Sequence, residues 1–213
     1  MYKKVFKRVT DITLSVIGAV VLIIPMLLIA LIIALDSEGG VLFRQKRMGK
    51  DRKLFTIYKF RTMVPNAYEM GGTNTYSSDP RITRIGRFLR KSSLDELPQL
   101  FNIIKGDMSI IGPRPILEEE FDEYEHNPRY AERFSVLPGL FCTVDLDYRA
   151  QASRGLQFEM DSEYCSSISF AKDIKVFFGV IKTVVSGSNV YKDEPVTEEI
   201  NEKTAAIAAE ERK

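Results

Sequence analysis

The longest apolar pattern in the chain is an uncharged run over residues 12–35, and it predicts a membrane-embedded helix. It is interrupted by Thr13, Ser15, Gly18 and Pro25. At about 1.5 Å per residue, a straight helix of this length would cross a bilayer core of about 30 Å. The apolar region of a cleavable signal peptide is shorter, about 7–15 residues, so we expect this segment to stay in the protein.

Basic residues flank the apolar run on both sides, and this leaves two membrane topologies open. Lys3, Lys4, Lys7 and Arg8 precede the run, and six more bases lie within residues 44–53. Because basic flanks favour the cytoplasmic side, a spanning helix would put one cluster outside, whereas a re-entrant helix bent at its proline keeps both inside. Proline also occurs in ordinary transmembrane helices, so the residues alone do not decide.

Beyond the membrane segment, the period of the pattern changes from helical to alternating. The alternation predicts a β-hairpin over residues 41–60, with its turn at 48–51. No strand is predicted after Phe60. Residues 64–80 contain the prolines, glycines and serines of a loop, and residues 171–185 have the period of an amphipathic helix.

A basic helix followed by two adjacent acids is the clearest sign of chemistry in the chain. Residues 81–91 carry five bases at helical spacing, and Asp95 and Glu96 follow at the start of the next predicted helix. Ser93 and Glu96 fit a capping box, but Asp95 as the N-cap puts Pro98 where an N–H is not needed, so we favour Asp95. Since acidic residues often only cap helices, the pair alone does not establish a site.

Composition narrows the possible functions. The net charge of +1 gives no global field that would select nucleic acid or an acidic partner. The single histidine, His126, leaves little room for a histidine triad or a histidine-rich metal site. Cys142 and Cys165 lack the paired spacing of a disulfide framework, which favours a reducing cytosol. With 213 residues, of which 45% are hydrophobic, we expect one folded domain and an anchor.

Six longer motifs follow one another along the chain: KRVTD at 7–11, FRQKRMG at 43–49, KFRTM at 59–63, RIT at 81–83, LRKSSLDELPQ at 89–99 and GDMSIIGPRP at 106–115. Together they resemble the bacterial sugar transferases, the monotopic polyprenol-phosphate phosphoglycosyl transferases. The resemblance weakens after Pro138-Gly139-Leu140, where the family usually continues Thr-Gly and this chain has Phe141-Cys142.

The resemblance implies a covalent reaction in two steps with Mg²⁺ as cofactor. Asp95 is expected to attack the β-phosphorus of a UDP-sugar and release UMP, after which polyprenol phosphate accepts the sugar phosphate. Glu96 is expected to complete the catalytic pair and to bind the metal, since Mg²⁺ prefers carboxylate and phosphate oxygens. The substrate-binding residues implied by the resemblance are Lys59, Arg61, Arg90, Pro113, Arg114, Pro115, Arg149 and Asp161.

The predicted fold is therefore α+β and helix-rich, with a re-entrant membrane helix, a short β-hairpin and amphipathic helices at the membrane surface. We divide the chain into a basic N-terminus and membrane helix (1–40), a catalytic domain (41–190) and a charged tail (191–213). The resemblance implies the bacterial inner membrane, with the catalytic domain facing the cytosol. The expected partners are a UDP-sugar, polyprenol phosphate and membrane lipid, without nucleic acid, and a homodimer is left open.

Two other functions compete with this interpretation. A membrane-tethered basic module would bind anionic lipid or nucleic acid in a salt-dependent manner and would not need Asp95 or Glu96. An inactive scaffold that recruits other glycosyltransferases would release no UMP from any UDP-sugar. The sequence does not identify the sugar or the glycan.

Overall fold

The computed structural model describes residues 2–71, 79–122 and 124–186, so the predicted tail at 191–213 and part of the predicted loop at 64–80 lie outside the described residues. The fold is α+β and helix-rich, as predicted. The helices are α1 (Lys7–Asp36), α2 (Ala67–Gly71), α3 (Arg84–Ser92), α4 (Gln99–Lys105), α5 (Glu119–Asp122), α6 (Pro128–Ala131), α7 (Arg154–Ser166) and α8 (Phe170–Ser186). The strands are β1 (Leu42–Met48), β2 (Leu54–Phe60), β3 (Ser109–Ile111) and β4 (Gly139–Phe141).

One face of α1 packs against the rest of the protein from its first turn to its last. At the N-terminal end, Lys7 Nζ lies 2.7 Å from Asp173 Oδ2 of α8. Asp11 accepts a hydrogen bond of 2.7 Å from the hydroxyl of Ser109. Near the C-terminal end, Ile33 is buried in a cluster with Phe60 of β2. Both ends of α1 therefore contact the same folded unit.

The opposite face of α1 consists of exposed apolar side chains. The helix continues through Pro25 without a break and is long and apolar enough to cross a membrane. An apolar surface of this extent is typical of a membrane or protein contact. Its members are Val9, Ile12, Leu14, Val16, Ile17, Val20, Val21, Ile23, Ile24, Leu27, Leu28, Leu31, Ile32 and Leu35.

The predicted β-hairpin is confirmed. Strands β1 and β2 are antiparallel, with Leu42 opposite Phe60 and Met48 opposite Leu54. Phe55 and Ile57 bury their side chains in the main core with residues of α4 and α8. Because side chains alternate along a strand, burial of these residues fixes where the other side chains of β2 point.

The prediction that no strand follows Phe60 is wrong. β3 and β4 form a short parallel pair, in which Ser109 lies opposite Gly139. Each strand has three residues, too few to show a clear alternation in the sequence. The two segments approach so closely that a Cβ at Gly139 would lie 2.1 Å from the backbone nitrogen of Gly112, so glycine is required there. This pair holds the Pro113–Pro115 turn in place.

Candidate active site

The acidic pair lies on a 3₁₀ turn, Leu94–Glu96, between α3 and α4. Ser93, in the left-handed conformation with φ of 56°, separates this turn from α3. The predicted cap at Asp95 is wrong, because Pro98 is the N-cap residue of α4 and no side chain caps that helix. The competing capping box is not formed either, since no side chain caps the 3₁₀ turn. The carboxylates of the pair are therefore not used to cap a helix.

Asp95 is a buried carboxyl group with an unusual proton affinity. The Asp95 residue is 9% exposed. Burial raises the pKa of Asp95 to about 6, an effect opposed by the charge of Lys59 and reinforced by that of Glu96. A carboxyl group with a pKa just below neutrality is mostly ionised at pH 7. Because it is buried, its carboxylate is less strongly solvated by water than an exposed one. This environment suits a nucleophile.

The pKa of Glu96 is shifted in the opposite direction from that of Asp95. Burial alone would raise its pKa, but the charges of Lys59 and Arg114 outweigh that effect and lower the pKa. Lys59 Nζ lies 2.6 Å from Glu96 Oε1. Two adjacent carboxyl groups whose environments push their pKa values apart are suited to different tasks. Here Glu96 stays ionised while Asp95 is the more basic member.

Two further predicted residues add positive charge around the pair. Arg90 donates a hydrogen bond of 2.8 Å from Nε to Thr62 Oγ1, and its charge lowers the pKa of Asp95. Arg149 donates one of 2.7 Å from Nη2 to Ser93 Oγ, and its charge lowers the pKa of Glu96. The structure thus brings residues that are more than 50 positions apart to one acidic pair.

Arg114 reaches the site from the turn between its two prolines. The carbonyl of Pro113 accepts a hydrogen bond of 2.8 Å from the N–H of Gly139, which ties the turn to β4. Pro113 is buried and Pro115 is half-buried, so both support the turn. Arg114 Nη1 lies 3.0 Å from Asp145 Oδ1, and this carboxylate is the main cause of the raised pKa of Arg114.

Asp145 is a site residue that sequence reasoning missed. It is buried, and burial raises its pKa although the charge of Arg114 opposes the shift. Its other oxygen accepts a hydrogen bond of 3.1 Å from the N–H of Cys142. Asp145 lies in an irregular stretch of sequence with no periodic signal, so only its contact with Arg114 identifies it.

Arg61 was predicted to bind substrate, and the structure gives it a different position. The residue is 8% exposed, and its Nη2 donates a hydrogen bond of 2.7 Å to the carbonyl of Ser37. It also donates to the carbonyls of Ile33 and Glu38. Carbonyls at a helix C-terminus lack intrahelical partners, and a guanidinium satisfies them. Arg61 therefore binds the C-terminal end of α1, and its contact with substrate stays a prediction.

Asp161, also predicted to bind substrate, is completely buried. It forms an ion pair of 2.7 Å with Arg133 Nη2, and both side chains are almost inaccessible to solvent. Its other oxygen accepts a hydrogen bond of 3.3 Å from the backbone N–H of Arg114. The prediction of substrate contact is thus corrected, because Asp161 positions the turn that carries Arg114.

The described residues contain no group of three or more His, Cys, Asp or Glu side chains arranged to hold a metal ion. Mg²⁺ commonly binds one or two protein carboxylates while substrate phosphates complete its coordination. Glu96 fits that requirement, since it stays ionised and Lys59 contacts only one of its two oxygens. Its role as a metal ligand remains a prediction.

Comparison with known proteins identifies the family of this chain. The family model described as bacterial sugar transferase matches residues 2–187. UDP-N-acetylgalactosamine-undecaprenyl-phosphate N-acetylgalactosaminephosphotransferase of Aeromonas hydrophila is 40% identical over 85% of this chain and 44% of its own length. Undecaprenyl-phosphate glucose phosphotransferase of Komagataeibacter xylinus is 36% identical over 87% of this chain and 37% of its own length.

The chain thus spans less than half the length of these two relatives. An uncharacterized sugar transferase of Bacillus subtilis is 33% identical over 92% of this chain and 95% of its own length. The match to the family model covers most of the chain, including the hairpin, the acidic pair and the Pro113–Pro115 turn. The chain therefore belongs to the bacterial sugar transferase family.

Proposed function

We propose that this chain transfers a sugar 1-phosphate from a UDP-sugar to undecaprenyl phosphate and releases UMP. The observation that carries the proposal is Asp95, a buried carboxylate with a pKa of about 6. It is free of any capping role and lies beside the Lys59–Glu96 ion pair. The names of the Aeromonas and Komagataeibacter relatives, both of which specify phosphotransfer to undecaprenyl phosphate, support it.

In the first step, an oxygen of the Asp95 carboxylate attacks the β-phosphorus of the donor. The bond between that phosphorus and the oxygen bridging the two phosphates breaks, and its electron pair leaves with UMP. The sugar phosphate is then held as a mixed anhydride on Asp95. Arg90, Arg114 and Arg149 orient the phosphates and offset their charge, which would otherwise repel the carboxylate. Mg²⁺, when bound with the diphosphate, neutralises further charge on its oxygens.

In the second step, a phosphate oxygen of the lipid carrier attacks the same phosphorus. The bond to Asp95 breaks, and the carboxylate is restored. Because the pKa of Glu96 is lowered, this residue is ionised at neutral pH and does not serve as a general acid. Glu96 instead holds Lys59 in place and offers its remaining oxygen to the metal.

The contacts of α1 support a topology in which both of its ends face the cytosol. A helix of 30 residues is about 45 Å long, so a straight helix perpendicular to the membrane would carry one end far from the catalytic domain. In this protein, Lys7 and Ile33 both pack on that domain. Single cysteines at positions 3 and 50 should therefore resist an impermeant thiol reagent in intact cells. Labelling at position 3 alone would mean that the helix spans.

The catalytic proposal is tested by offering the full-length protein UDP-N-acetylgalactosamine, UDP-glucose and UDP-galactose with Mg²⁺ but no acceptor. The relatives are named for different sugars, so a panel is needed. We expect one donor to yield UMP and a phosphosugar adduct that maps to Asp95. Asp95→Asn should form neither product.

Two results would contradict the proposal. Normal turnover by Asp95→Asn would exclude this nucleophile, and kinetics in which both substrates must bind before UMP leaves would exclude the covalent intermediate. No UMP from any donor would favour an inactive scaffold. Salt-sensitive lipid binding that survives loss of both acids, without UMP release, would favour a binding module.

A further inference from the structure

Two arginines beside the candidate active site share one counterion. Arg154 Nη2 lies 2.5 Å from Glu120 Oε1, and Arg47 Nη1 lies 3.4 Å from Glu120 Oε2. Arg47 belongs to β1, Glu120 to α5 and Arg154 to the first turn of α7. The fold therefore assembles this group from three separate segments, and with all three side chains ionised it carries a net positive charge.

Both guanidiniums are held firmly while part of each remains available. Arg47 Nη2 donates a hydrogen bond of 2.7 Å to Gln45 Oε1, and Arg154 Nη1 donates one of 2.7 Å to Gln157 Oε1. A guanidinium has five N–H donors, so these contacts leave donors on each group. The Arg47 and Arg154 side chains are 23% and 36% exposed. Side chains already fixed in place lose little entropy when they bind a ligand.

The pair lies close to the turn that carries Arg114. The N–H of Leu117 donates a hydrogen bond of 2.8 Å to Glu120 Oε2, and the N–H of Met48, next to Arg47, donates one of 2.8 Å to the carbonyl of Ile116. Burial lowers the pKa of Arg47, the charge of Glu120 opposes this shift, and the positive charges of Arg114 and Arg154 lower the pKa further. Burial also lowers the pKa of Arg154, and Arg114 again contributes. Three guanidinium groups therefore lie in one region. Glu120 contacts Arg47 and Arg154, and Asp145 contacts Arg114. An added anion would relieve this repulsion.

We propose that Arg47 and Arg154 bind the nucleotide phosphate of the donor and hold UMP as it leaves. The inference rests on the proposed function. Asp95 attacks the β-phosphorus from the side opposite the leaving oxygen, so UMP departs away from Asp95. The sugar half of the donor supplies no charge, whereas guanidiniums match phosphate oxygens in charge and geometry. The turn that carries Arg114 lies between the two parts of the site, since Ile116, two residues after Arg114, pairs with Met48 of β1.

The direct test measures UMP binding by calorimetry to full-length protein carrying Asp95→Asn, which cannot turn over. Adding Arg154→Gln should weaken UMP binding about tenfold or more, because the charged hydrogen bonds from the guanidinium to the phosphate are lost. In the otherwise unchanged enzyme, Arg154→Gln should raise the KM for the UDP-sugar and the inhibition constant of UMP in parallel. Arg154→Lys should recover only part of the loss, since lysine lacks the planar fork.

Arg129→Gln is the matched control, because Arg129 also forms an ion pair with a glutamate, Glu159, on α7. It should leave UMP binding unchanged. Equal losses of UMP binding in Arg129→Gln and Arg154→Gln would show that Arg154 has only a structural role. The same conclusion would follow if the loss of UMP binding paralleled the fall in melting temperature in Arg154→Gln and also in Arg154→Lys. A higher KM with unchanged UMP binding would place Arg154 at the sugar instead. If the unchanged enzyme releases UMP from a donor but Asp95→Asn protein binds no UMP, this inference fails while the proposed function stands.

Discussion

Two buried carboxylates in this protein, Asp95 and Asp161, are in opposite surroundings. Asp161 is fully buried and accepts hydrogen bonds from Arg133 Nη2 at 2.7 Å, Arg133 Nε at 3.2 Å and the N–H of Arg114. Asp95 retains some exposure and does not cap α4. Burial raises the pKa of both, but only Asp161 has a cation bound directly to it.

The difference separates a structural charge from a chemical one. A buried carboxylate whose oxygens are occupied stabilises its neighbours and cannot reach a ligand. A carboxylate that is partly exposed keeps an oxygen available for reaction when cations lie near it without binding it directly. Both residues were predicted as site residues from the family resemblance, and only their contacts distinguish them.

The largest expected effect is the loss of chemistry in Asp95→Asn. Adduct formation should fall by roughly 10⁴-fold or more, as is typical when a catalytic group is removed. The melting temperature at pH 7.5 should change little, because Asp95 caps no helix and no cation among the described residues is bound directly to it, so asparagine leaves no buried charge unpaired. Calorimetry and a UMP-release assay measure the two effects. A large fall in melting temperature would make Asp95 structural.

Asp161→Asn should show the reverse pattern. It leaves Arg133, whose side chain is 2% exposed, without its counterion, and removing one partner of a buried ion pair costs about 3–5 kcal/mol. The loss should appear as a lower melting temperature, and residual activity should follow the folded fraction. Combining Arg133→Met with Asp161→Leu should restore most of the stability, since no unpaired charge remains. Failure of the double variant to recover would show that the pair is needed for more than charge balance.

A smaller effect is expected from pH. The nucleophile must be ionised, so the rate of adduct formation at low donor concentration should fall about tenfold per pH unit below pH 6. Rapid-quench measurements between pH 5 and pH 8, with folding checked by circular dichroism, provide the profile. A flat profile through this range would exclude a nucleophile with the pKa that the surroundings of Asp95 produce.

The smallest effect should be a shift of the pH profile of adduct formation in Lys59→Met. The charge of Lys59 lowers the pKa of both Asp95 and Glu96, so its removal should raise both. The acidic limb of the rate profile should then move toward higher pH. Lys59→Arg, which keeps the charge, should leave the limb close to its original position. Identical limbs in Lys59→Met and the parent enzyme would show that Asp95 does not control the profile.

Much of the fold could be predicted because its main elements are local. The apolar run, the alternation over residues 41–60 and the amphipathic pattern before Ser186 correspond to α1, the hairpin and α8. The pair β3–β4 escaped prediction because its two segments are about 30 residues apart and each is three residues long. Capping was predicted incorrectly because Pro98 itself occupies the position assigned to Asp95.

The amino-acid sequence alone determined the long apolar helix, the hairpin, the basic helix and the place of Asp95 and Glu96 after that basic helix, because these depend on residues a few places apart. Only the tertiary structure decided which distant charges meet them. It placed Lys59 and Arg149 at the acidic pair, turned Arg61 toward the end of α1 and enclosed Asp161 with Arg133. The physical reason is that burial and charge pairing depend on distance in space, and chain separations of 24 to 56 residues leave no periodic trace in the sequence.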